Sequence, residues 1–256
     1  MRVHVIQLSY SDGESLTERT GRVATLVRDQ RGADLVVLPE LWPNGGFSYD
    51  GWEDSAQPLD GPVVTALRAA AGDLGATVHM GSLVERDGTG RLFNTSVLIG
   101  PGGEVLTTYR KIHLFGFGAG EPKLMSPGGD VVVHDGLGLA TCYDLRFPEM
   151  FRALLDAGAE VDLVPAAWPA KRVHHWRLLA QARAVENQSY VVACNTAGTH
   201  AGVPMGGGSL VVDPWGEVIA EGGTEEEVLV VDVDLDLVRS TRASFPVLRD
   251  RRLDAR

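Results

Sequence analysis

Cysteine is almost absent: the 256 residues hold two, Cys142 and Cys194. Two thiols exclude a disulfide framework and a Cys-rich zinc site. Long apolar runs are also missing, and nothing approaches the ~20 apolar residues of a membrane span. The opening MRVHVIQLSYSDGE has no signal-length apolar core and no small-residue cleavage site. A soluble cytoplasmic protein is the expectation, without a membrane partner. Positive charge is scarce, with 23 Lys and Arg against 34 Asp and Glu and a formal charge of -11. That disfavours a nucleic-acid partner, because phosphate recognition needs a basic face. There is no H-E-x-x-H helix and no P-loop, so no metal site is expected. Gly206–Gly208 precedes a strand, not a helix, which argues against a phosphate cradle.

What is present suits a packed core. Apolar residues make up 44% and charged residues 22%, so disorder is not expected. The length fits one domain spanning residues 1–256. Val3–Ser9, Asp34–Pro39, Thr77–Val84 and Thr95–Ile99 read as strands. Leu16–Arg31 and Pro62–Leu74 carry apolar residues at helical spacing. The second half repeats the order: strands at Gly138–Cys142, Val161–Pro165, Tyr190–Asn195 and Ser209–Val212, helices at Glu149–Ala157 and Val173–Asn187. Alternation of this kind predicts the α/β class. Two similar halves suggest two sheets face to face with helices outside; one doubly wound sheet is the alternative. Gly116–Gly129 reads as a functional loop, and the Arg-rich tail after Ser240 as a segment packing on a neighbour or a second subunit.

Cys142, in GLGLATCYDLRFPE, stands where an apolar strand ends and a helix is expected to open. A thiol on such a corner meets helix N-terminal N–H groups, which favour thiolate and can hold an oxyanion. Taken alone it equally fits a small buried hydrophobe; the charges of Asp144 and Arg146 beside it point to function. Cys194, inside YVVACNTAG, reads as core. Glu40 ends the strand DLVVLPE, and the carboxyl ends of parallel strands are where ligands bind. Its apolar neighbours Leu38, Pro39, Leu41 and Trp42 suit it to general-base work, although a Glu capping the next loop fits as well. Lys111 follows a strand-like segment and precedes an aromatic loop; a snorkelling surface lysine is the alternative.

In order, VVLPELW, YRKIHLF and CYDLRFPE resemble the motifs of the nitrilase superfamily of carbon–nitrogen hydrolases. PAAWP, HWRLLAQARAVENQ and DPWGEV extend the resemblance over nearly the whole chain. It implies a four-layer αββα sandwich that assembles at least as a homodimer. It implies Cys142 as nucleophile, Glu40 as general base, Lys111 as oxyanion-stabilising cation and Glu121 as the second glutamate, with the Tyr143 N–H as further oxyanion donor. The implied reaction is hydrolysis of the amide of a small molecule, without a metal or organic cofactor. CYDLRFPE and the short chain resemble the small-amidase branches, omega-amidases among them; N-carbamoyl amino-acid amidohydrolases, nitrilases and a silent binding protein stay open.

An acidic chain repels an anionic substrate unless the pocket is locally basic. Lys171 and Arg172, after the strand ending at Pro165, are the recognition candidates, with Arg172 gripping a distal carboxylate. Phe117 and Trp168 are expected to wall the carbon chain. Arg146 is read as holding its own loop through Asp144.

Overall fold

A computed structural model describes residues 1–253; the last three residues of the expected 1–256 domain lie outside the described residues. The chain opens with β1 (Arg2–Gln7), α1 (Leu16–Arg28), β2 (Leu35–Val37), α2 (Trp52–Ser55) and α3 (Pro62–Leu74). It continues through β3 (Thr77–Arg86), β4 (Leu92–Ile99), β5 (Val105–Arg110), α4 (Glu121–Leu124), β6 (Val132–His134) and β7 (Leu137–Leu139). Then come α5 (Pro148–Asp156), β8 (Val161–Ala166), α6 (Val173–Asn187), β9 (Tyr190–Asn195) and a small hairpin, β10 (Thr199–His200) and β11 (Val203–Pro204). The last elements are β12 (Leu210–Val212), β13 (Val218–Glu221), β14 (Glu227–Asp232) and α7 (Leu235–Ser244).

Two six-stranded sheets form, ordered β14-β1-β2-β3-β4-β5 and β13-β12-β9-β8-β7-β6. Both have the same pairing. Starting from β5 in one and β13 in the other, the pairs run antiparallel, antiparallel, parallel, parallel, antiparallel. The repeated order of elements in the sequence is therefore a repeated topology.

Strand periodicity decides the layers, because alternate residues face opposite sides. Val3, Val5, Leu35 and Val37 belong to one core with Leu163 and Val192 of the facing sheet. Their neighbours Ile6, Val36 and Leu38 pack instead with Val23 and Val27 of α1 and Val64 and Leu67 of α3. Phe151 and Leu154 of α5 and Trp176 and Ala180 of α6 cover the second sheet. Each fully buried Val, Leu, Ile or Phe among them contributes about 1.5–3 kcal/mol. The architecture is the expected αββα sandwich, not a single doubly wound sheet. Among the described residues no helix is long and apolar enough to cross a membrane.

Local chemistry sets the helix ends. Ser15 Oγ accepts the Glu18 N–H while the Glu18 carboxylate accepts the Ser15 N–H, a reciprocal cap worth about 1 kcal/mol. Pro62 opens α3, and Gly75 closes it in the left-handed conformation at φ 73°. Strand ends gather at one rim. Glu40 follows β2, Lys111 follows β5, Cys142 follows β7 and Trp168 follows β8.

The strand expected over Gly138–Cys142 is shorter: β7 ends at Leu139 and Cys142–Arg146 is a 3-10 turn. The helix expected over Glu149–Ala157 is α5, which begins at Pro148. Pro148 suits a first helical position and cannot sit deeper in a helix, which fixes that start.

Candidate active site

Glu40, Lys111, Glu121 and Cys142 line one partly open pocket with about 250 Å³ of empty space, together with Phe47, Tyr49, Trp52 and Phe115. Lys111, 1% exposed, is the hub. Its Nζ donates to Glu40 Oε1 at 2.6 Å and to Glu121 Oε1 and Oε2 at 3.0 and 2.9 Å. Burial opposes its charge, but the carboxylates of Glu121 and Glu40 outweigh that and hold the ammonium well above its usual range. Glu40 Oε2 accepts the Ala167 N–H at 2.9 Å, so the carboxylate is tied to the segment after β8. Glu121 Oε2 accepts the Phe115 N–H at 2.6 Å. Burial, with the charge of Glu40, pushes the Glu121 carboxyl up against the pull of Lys111.

Cys142 stands on a sharp corner at φ 47°, a left-handed conformation that a non-glycine residue adopts only under constraint. The corner is not exposed, however: Cys142 is 8% accessible. Burial first, then the neighbouring Glu40, holds its thiol well above the usual range. Burial and the neighbouring carboxylate thus favour the thiol, against the expectation of a thiolate favoured by helix dipoles. Cys194 lies in β9, fully buried, with its Sγ donating to the Ile6 carbonyl at 3.3 Å, as the core reading expects.

A second cavity of about 240 Å³ adjoins the first at Cys142, lined by Phe47, Phe115, Tyr143, Arg146, Trp168 and Arg172 among others. The Arg146 guanidinium lies 4.8 Å from the Trp168 ring centroid, and that of Arg172 lies 5.5 Å from the Phe115 ring centroid. The Trp168 indole N–H donates to the Arg172 carbonyl at 2.8 Å, which fixes the wall beside the second guanidinium. Lys171 stands further out, on the wide mouth formed with Gly202–Pro204 of the β10–β11 hairpin.

Two assignments change. Phe117 is 87% exposed and stands outside the residues lining these cavities, its ring edge-on to Phe115 and Tyr143; Phe47 and Phe115 wall the space instead. The left-handed Phe117 backbone, φ 38° between two glycines, carries its side chain outward. Nor does Arg146 hold Asp144. Asp144 is fully buried and accepts from Tyr109 OH (2.6 Å), Thr141 N (2.8 Å), His113 N (3.0 Å) and His113 Nδ1 (2.7 Å). With Asp144 occupied, Arg146 turns toward the cavity and donates to His175 Nδ1 at 3.3 Å.

Sequence reasoning missed Asn94, whose amide Nδ2 donates to both Glu40 Oε1 (2.8 Å) and Glu121 Oε1 (2.6 Å). A polar residue in the otherwise apolar run LFN at the start of a strand is the signal that could have found it.

The fold is shared with solved members of the nitrilase superfamily. One from Saccharomyces cerevisiae is 31% identical with a TM-score of 0.89, covering 99% of this chain and 97% of that one. An amidase from Nesterenkonia, in which acrylamide has added to the active-site cysteine, is 29% identical with a TM-score of 0.78, covering 98% and 99%. More narrowly, the carbon–nitrogen hydrolase family matches residues 2–243, and the chain belongs to that family. Among curated relatives, a 2-oxoglutaramate amidase of Paenarthrobacter nicotinovorans is 43% identical, covering 98% of this chain and 90% of the relative. An omega-amidase of Mus musculus is 35% identical, covering 99% and 95%.

Proposed function

We propose that the chain is an amidase that releases ammonia from a short omega-amide of a dicarboxylate. The observation that carries this reading is a pair of adjoining pockets that share Cys142, with Glu40, Lys111 and Glu121 lining one and the Arg146 and Arg172 side chains lining the other. The names of the amidase relatives support it.

In this reading Glu40 takes the proton of the Cys142 thiol as sulfur attacks the amide carbon. A thiol favoured over the thiolate is why a base is needed. The Lys111 ammonium and the Tyr143 N–H stabilise the oxyanion; one such donor is typically worth about 3–4 kcal/mol. Glu40 returns its proton to the departing nitrogen, ammonia leaves, and Cys142 carries the thioester. Water activated by Glu40 then attacks the thioester carbon, and the acid and the free thiol are released. Glu121 orients Lys111. Arg146 and Arg172 take the distal carboxylate, and Trp168, Phe47 and Phe115 enclose the chain between. The working unit is one catalytic domain that acts in the cytoplasm as a homodimer.

The test is ammonia release from 2-oxoglutaramate, from an uncharged amide of equal length, from a nitrile and from a carbamoyl amino acid. The omega-amide acid should be preferred. Cys142→Ala should fold with an unchanged melting temperature and lose turnover to background, while Cys194→Ala keeps most of it. Full activity in the Cys142 variant would remove the mechanism. A better rate with the uncharged amide would remove the anionic substrate and leave only the amide chemistry. A single-subunit mass in light scattering at micromolar concentration would remove the dimer.

A further inference from the structure

Two buried carboxylates share one buried ammonium in this site. Glu40 and Glu121 are each 3% exposed, and Lys111 is the cation between them. One positive charge against two negative ones leaves a repulsion that water cannot screen at that depth. Something else must hold the second carboxylate in place. The backbone N–H groups of Ala167 and Phe115 each take one outer oxygen. The inner oxygens, Oε1 of both glutamates, are joined by Asn94.

We infer that Asn94 is a positioning residue: its amide gives one N–H to each glutamate and keeps both carboxylates on Lys111 without adding a charge. The inference deepens the amidase reading and rests on it for the roles of Glu40 and Glu121. Three observations carry it. Both donor directions of the Asn94 amide are used on the two carboxylates, at 2.8 and 2.6 Å. Its Oδ1 is buried without a partner. The flipped amide would aim that oxygen at both negative groups, so the charges select the orientation that leaves Oδ1 unpaired. Finally, the Asn94 backbone carbonyl accepts the Lys111 N–H at 2.9 Å. A single residue thus fixes the lysine through its main chain and the partners of that lysine through its side chain.

The choice of an amide has a chemical reason. A second ammonium would neutralise the pair, but it would also stabilise Glu40 as an anion too well for it to accept a proton. An apolar side chain would leave two carboxylates facing each other across one cation. The neutral double donor lies between these limits.

Asn94→Ala and the milder Asn94→Ser test the role, with Asn94→Asp as a near-isosteric variant that replaces the two donors with an oxygen of a third carboxylate. Removing a donor from a carboxylate favours its protonated form. The acid limb of the kcat profile should therefore move to higher pH. At its optimum kcat should fall about tenfold or more in the alanine variant, with KM little changed, since no substrate contact is lost. Asn94→Asp should be slower still. Iodoacetamide labelling of Cys142 against pH should show the same displaced limb. That readout needs no substrate. If the wild type hydrolyses no amide yet the labelling limb moves, the amidase reading fails and the positioning role stands. A folded alanine or serine variant with both limbs in place and kcat within about twofold of wild type overturns the role. Loss of the fold in both variants would also overturn it, in favour of packing.

Discussion

Arg172→Ala removes one of two guanidinium groups from the second cavity while leaving Cys142, Glu40 and Lys111 untouched. Two charge-assisted hydrogen bonds to a carboxylate are worth about 2–3 kcal/mol, so KM for the acid should rise roughly 30- to 150-fold. The uncharged amide should be unaffected. Arg146→Ala should act in the same direction, and steady-state kinetics on both substrates decides each case. An equal loss on both substrates would assign the arginines to packing against Trp168 and Phe115. Asp144→Ala is a different kind of change. It strips the acceptor from four buried or half-buried donors of Tyr109, Thr141 and His113, and should cost at least about 3 kcal/mol by urea unfolding. Glu40, Lys111 and Cys142 were legible in the sequence because each sits in a compact motif just after a strand, whereas Glu121, which opens α4, was reached only through the family resemblance. Arg146 and Asn94 were not legible. Which way a side chain turns depends on what its neighbours have already bonded, and Asp144 and the two glutamates decide that only in three dimensions.

At the scale of elements, the link between β2 and β3 governs where Glu40 sits. Between His79 and Ser82 the register of β3 on β4 shifts, and Gly81 takes φ 69° at that irregularity. A Cβ at Gly81 would overlap the carbonyl oxygen of Pro39, the residue before Glu40. Gly81→Ala should lower the melting temperature and lower kcat far more than a change remote from the rim. A variant with wild-type kcat would separate the bulge from the site. Element types were readable wherever periodicity was strong. The expected helices Pro62–Leu74 and Val173–Asn187 and the strand Tyr190–Asn195 coincide with α3, α6 and β9. β4 begins at Leu92, three residues before the expected Thr95, which kept Asn94 outside the strand. α7 escaped notice because only Val238 and Thr241 of its ten residues are buried, too few to mark a stripe. It is held by tertiary bonds instead, with Arg242 donating to the carbonyls of Ala159, Asn187 and Gln188.

Across the whole molecule, one buried acid sets a pH dependence of stability. Asp162, 1% exposed, has its carboxyl pushed up to about 7, chiefly by burial, with the Ser189 hydroxyl pulling the other way. Unfolded, it returns to the model-peptide value near 4. Between those limits the folded protein binds the extra proton, so stability falls as pH rises from about 4 to about 7 and the full penalty stays above that. Three units correspond to about 4 kcal/mol. Asp162→Asn should therefore gain on the wild type across that interval and keep the gain at pH 8; a difference that does not change with pH would refute this. The two-sheet plan has one more consequence. Glu40, Asn94 and Lys111 are carried by the first sheet, Cys142 and Trp168 by the second. Neither sheet holds both the sulfur and the carboxylate beside it. During refolding, helical and strand signals can return while the two layers are still apart, but thiol chemistry cannot. Regained turnover is thus a clock for the moment the layers close on each other, set later than any measure of secondary structure.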